Sequence, residues 1–85
     1  MAGIMIPSVH LNGDTRAELL RINRAAYDAA EKLIDALLEA GPNNRNFYVQ
    51  GPDALGKALA QHVMRLGRAE GIKAEMAEIV HSLMG

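Results

Sequence analysis

Within seven residues, Arg45, Phe47, Tyr48, Gln50 and Gly51 bring together a guanidinium, two rings, an amide and a glycine. A guanidinium is a planar fork that matches phosphate or carboxylate. Aromatic faces stack on a nucleobase. Glycine lets a backbone approach a ligand closely, and the free N–H groups that open a helix attract an anion. These types at this spacing suit a cradle for a nucleotide phosphate. They also have a plainer reading. Phe47 and Val49 plug the end of a helical hairpin, Tyr48 packs on the segment before it, and Arg45 caps helix carbonyls. The residues by themselves favour the plug.

The remaining reactive side chains form no constellation. His10, His62 and His81 have no His-x-x-x-His spacing and no adjacent acidic cluster, so no metal site is expected. The chain has no cysteine, which excludes disulfides and thiolate metal sites. His62 lies among apolar helical positions and reads as a hydrogen-bonded interface residue, whereas His81 suits a helix C-terminus. Ser8 and His10 share one side of an extended segment, but no third group orients them. Glu31, Asp35 and Glu39 look like a solvated helix face. The chain is therefore expected not to be an enzyme and to carry no cofactor.

The elements that must position the 45–51 cluster are helices. Eighty-five residues form one domain, 1–85. Apolar residues make up 49%, yet fourteen of them are alanine. Alanine favours helix and buries little area, so the core is expected to be thin. At this size such a core is marginal without a partner. Residues 1–13 read as an extended arm in which Ile4, Ile6, Val9 and Leu11 should lie on the hairpin or a neighbouring subunit. Helix 1 spans 15–40, opened by a capping box of Thr15 and Glu18 and closed by a left-handed Gly41 and Pro42. The turn covers 41–51. Helix 2 runs over 52–84 from Pro52 and Asp53, kinked, broken or closely crossed at 67–71, where Gly67 and Gly71 interrupt it.

Folding the chain at position 46 with equal rise in both arms sets Asp35 opposite Lys57, Asp28 opposite Arg65, and Glu18 opposite Lys73. It also sets Arg24 near Arg68, a like-charge pair. The apolar rows exceed what one hairpin covers. Leu19, Asn23, Ala26, Ala30, Leu33 and Leu37 follow four- and three-residue steps, and Leu59, Val63 and Leu66 form a stripe on helix 2. The expected fold is all-α: an antiparallel two-helix hairpin with an extended N-terminal arm, assembling into a helical-bundle homo-oligomer. A net charge of −1 with no basic stripe disfavours DNA or RNA. No segment is apolar enough for a membrane span, and the N-terminus lacks a secretory pattern, so a cytoplasmic protein is the default.

Ile6-Pro7-Ser8-Val9-His10-Leu11-Asn12-Gly13, a capped helix, and then Asn44-Arg45-Asn46-Phe47-Tyr48-Val49-Gln50-Gly51 resemble a family of small phage and prophage proteins with an Arg-x-aromatic-aromatic-x-Gln-Gly turn. Phe47 stands where many of them carry tyrosine, and Val49 where proline is common. The chain is also similar in outline to phage anti-CBASS and anti-Thoeris proteins, helical oligomers that sequester nucleotide immune signals between subunits. That similarity implies a bacterial host and a ligand held by Arg45, Phe47, Tyr48, Gln50 and Gly51, with Ser8, His10 and Asn12 reaching a neighbour's site. The alternative is a structural or interaction protein of a phage or prophage, such as a virion-assembly factor or an inhibitor of a host protein, with no small ligand.

Overall fold

Thr15 starts the first helix as expected: its Oγ1 accepts the Glu18 N–H at 3.2 Å. The reciprocal half of the capping box is absent, because the Glu18 carboxylate instead pairs with Arg21 at 2.9 Å. That carboxylate is also the main cause of a raised Arg21 pKa. A computed structural model describes residues 3–85; Met1 and Ala2 of the predicted arm lie outside the described residues. Helix α1 covers Arg16–Glu39 and helix α2 covers Ala54–Met84. The two pack against each other as a hairpin, and no strand occurs among the described residues. The shape is a rod of 60 × 26 × 19 Å.

Helix α1 ends without a left-handed glycine. The Ala40 N–H shares the Ala36 and Leu37 carbonyls at 3.0 and 3.1 Å. That tightened last turn satisfies carbonyls a left-handed cap would have served, and Gly41 keeps a negative φ. The special backbone is at Gly51 instead, with φ 118° and ψ 169°. Helix α2 is continuous through Gly67 and Gly71 and is not broken there. No close crossing occurs there within the chain, since a Cβ added at either glycine would meet nothing within 4 Å. Each interior glycine weakens the helix by about 1 kcal/mol relative to alanine.

The core is as thin as the composition implies. Leu19, Ala30 and Ile34 of α1 are buried with Ala69, Leu83 and His62 of α2, and no large side chain is fully enclosed. At the open end of the hairpin, Arg16 donates through Nη1 to the Leu83 carbonyl at 2.9 Å. Arg24 reaches the Met84 sulfur at 3.3 Å. Midway, Lys73 pairs with Glu31 at 3.7 Å and sits 5.7 Å from the centre of the Tyr27 ring. Basic residues dominate the first halves of both helices and acidic residues the second halves, so the antiparallel arrangement sets unlike charges side by side.

The register differs from the one expected. Lys73 faces Glu31 in place of Glu18, and Arg24 meets Met84 in place of Arg68. Neither Asp35–Lys57 nor Asp28–Arg65 forms an ion pair among the described residues. The reason lies in the lengths. The 24 residues of α1 and 31 of α2 are matched where Arg16 meets Leu83, so the surplus of α2 falls at the elbow. Gly41, just past α1, lies beside His62, and a Cβ there would stand 3.8 Å from the His62 Nε2. Residues 54–61 therefore overhang α1 by about 12 Å.

Candidate functional site at the elbow

Two short 3-10 turns, Asn44–Asn46 and Tyr48–Gln50, fold the connection back along the overhanging start of α2. Local backbone bonds hold them: Phe47 N–H to the Asn44 carbonyl at 3.1 Å, and Gln50 N–H to the Phe47 carbonyl at 3.0 Å. The Gly51 conformation, which is strained for any residue that bears a side chain, then swings the chain into Pro52 and α2. Asp53 has helical dihedrals and its carboxylate caps no first-turn N–H. Backbone bonds run from Ala54 to Gly51 and from Lys57 to Asp53, and the amides between them, Leu55 and Gly56, have no backbone partner among the described residues.

Between the elbow and the first two turns of α2 lies an open cavity of about 410 Å³. Phe47, Gln50, Gly51, Pro52, Asp53, Ala54, Lys57, Ala58 and Gln61 line it. This volume falls in the range of small-molecule sites. One aromatic ring, two amides, one ammonium and one carboxylate can bind and orient a polar ligand. They include no nucleophile paired with a base.

The structure brings together Phe47, Gln50 and Gly51 of the expected ligand residues. Arg45 and Tyr48 are exposed on the same connection but do not line the cavity; Tyr48 leaves 65% of its surface open. Phe47 is only half-buried, so the aromatic pair does not seal the hairpin end as a plug would. Ser8, His10 and Asn12 are exposed in the arm and line no part of this cavity. Ile4, Ile6 and Pro7 of the same arm are half-buried. The Gly13 N–H closes a turn on the His10 carbonyl at 3.1 Å.

Lys57, Asp53 and Gln61 were not legible as site residues, because only the doubling back of 42–53 brings the first turns of α2 to the elbow. Proline-aspartate at a helix start was the available signal, and it points to a boundary more readily than to a pocket. A second depression of about 330 Å³ lies among Tyr27, Ala77, Val80, His81 and Met84 and is almost wholly apolar. His62 is buried beside Gly41 but makes no hydrogen bond among the described residues, contrary to expectation.

Of the residues expected at an oligomer interface, Leu19 and Ala30 are buried inside the hairpin itself. Asn23, Leu37 and Leu66 are half-buried, and the Asn23 amide donates to the Leu19 carbonyl of its own helix at 2.8 Å. Ala26, Leu33, Leu59 and Val63 remain exposed. Among the described residues, no three of His, Asp or Glu come together as metal ligands, and no helix is long and apolar enough to cross a membrane. The chain matches no family model, no curated protein and no solved structure.

Proposed function

We propose that this chain is a binding protein that captures a small nucleotide at its elbow and does not turn it over. The observation that supports this reading is the open cavity against Phe47, with Arg45 and Tyr48 left exposed on the same connection. Phe47 or Tyr48 stacks the base, Arg45 clamps phosphate, and Gln50 and Gly51 supply polar and backbone contacts. Lys57, the one cation among the described residues that line the cavity, adds a second charge for phosphate. In keeping with the resemblance to phage signal-sequestering proteins, the proposed ligand is a cyclic oligonucleotide or ADP-ribose-type signal inside a bacterial host, and the proposed working unit is a homo-oligomer.

Isothermal calorimetry against cyclic dinucleotides, cyclic trinucleotides and ADP-ribose derivatives tests this. Heat of binding to one class is expected, abolished by Arg45→Ala with helicity and subunit count intact. Silence with all three classes would remove the reading.

The exposed apolar side chains Leu33, Leu38, Val63, Met64 and Ile72 favour a second reading, a phage structural or interaction protein with no small ligand. It predicts no calorimetric signal and a stoichiometric protein partner in infected cells.

A further inference from the structure

Gly56, Ala60, Val63, Gly67, Gly71 and Ala74 succeed one another by three or four residues, which places them on one side of α2. All six are exposed, and Val63 and its neighbour Met64 each leave 66% of their surface open. Half of this row is glycine, which weakens a helix relative to alanine. Nothing inside the chain compensates: a Cβ on Gly56, Gly67 or Gly71 would meet no atom within 4 Å. Glycine in a helix face permits close approach of another backbone, and here no backbone of the same chain approaches.

We infer that this row docks a second copy of the chain, α2 against α2, antiparallel and crossing at Gly67. Charge selects both occupant and direction. On α2, Lys57, Arg65 and Arg68 fall at or before the crossing region, and Glu70, Glu75 and Glu78 fall after it; the one lysine after it, Lys73, is paired with Glu31 of α1. The other six are exposed, and none of them makes an ion pair among the described residues. An antiparallel pair centred on Gly67 sets Lys57 within about 3 Å, along the axis, of Glu75 and Glu78 in the second copy. Two-fold symmetry repeats the match. A parallel pair sets lysine on lysine and glutamate on glutamate, which opposes docking.

The α2 row needs no ligand to specify the surface and sense of the oligomer, although Lys57 is shared with the lining of the elbow cavity. Ile22, Ala26, Ala29 and Leu33 form a competing exposed row on α1. Sedimentation velocity across a concentration series separates the two. The unaltered chain is expected to reach a dimer. Gly67→Leu is expected to stay single at every concentration while keeping or raising its helicity, since leucine favours helix over glycine. Leu33→Glu is expected to dimerise as before. Glu75→Lys combined with Glu78→Lys is expected to weaken the dimer at least tenfold. Because the chain has no native cysteine, mixing Ala60→Cys chains with Ala74→Cys chains reports direction. A 60–74 disulfide is expected. A chain that never dimerises, a dimer that survives Gly67→Leu, a Gly67→Leu chain that loses its helices, a dimer lost on Leu33→Glu, or 60–60 cross-links in place of 60–74 would each overturn the assignment.

Discussion

Where α1 begins, Arg16 donates to the Leu83 carbonyl and Leu83 retains 3% of its surface; at the elbow, Tyr48 retains 65%. The two ends of the same hairpin are built on different terms. The open end brings distant segments together through side-chain bonds and the deepest burial in the chain. The elbow is held by backbone bonds between near neighbours and leaves its aromatic residues only partly covered. The deepest burial lies at one end and exposed aromatic surface at the other, and exposed connections of this kind are where binding residues are commonly found.

If that division holds, substitutions at the two ends must differ in kind. The largest loss of stability is expected for Leu83→Ala, which empties the best-packed position; about 2–5 kcal/mol is typical. In so thin a core this is enough to unfold much of the population, read as lost helical ellipticity at room temperature. A smaller loss is expected for Gly51→Ala. A left-handed φ of 118° with extended ψ costs a side-chain-bearing residue about 1–3 kcal/mol. Thermal melting should show it, together with loss of any elbow ligand. Tyr48→Ala is expected to shift stability by less than about 0.5 kcal/mol, since the ring is mostly in solvent. If Tyr48→Ala destabilised the chain as much as Leu83→Ala, the elbow would be a plug after all and the contrast would vanish.

Much of the fold was legible because its signals are local. Thr15 marked one helix start, Pro52 and Asp53 the other to within two residues, and fourteen alanines announced a core with little to bury. The register was not legible. Equal rise about a fold point assumes that the connection consumes no axial length, and 42–53 instead runs back beside α2. The Glu18 carboxylate had two partners in reach, the Thr15 backbone and Arg21, and its bond to Arg21 is a pairwise outcome that sequence spacing does not decide. Gly41 and Gly51 illustrate the same limit. Both precede proline, but only Gly51 adopts positive φ, because the last turn of α1 tightened enough to make a left-handed cap unnecessary. At the site, Phe47, Gln50 and Gly51 were visible from the motif, whereas Lys57 and Gln61 entered through tertiary folding alone.

The unequal length of the helices has a mechanical meaning. A rod that outreaches its neighbour has a stretch supported along one side only, by the folded-back connector. Anything settling there would extend the cooperative unit of the molecule instead of tightening contacts it already has, and buried His62, beside Gly41 where the overhang begins, marks the boundary that such added stiffness would have to cross.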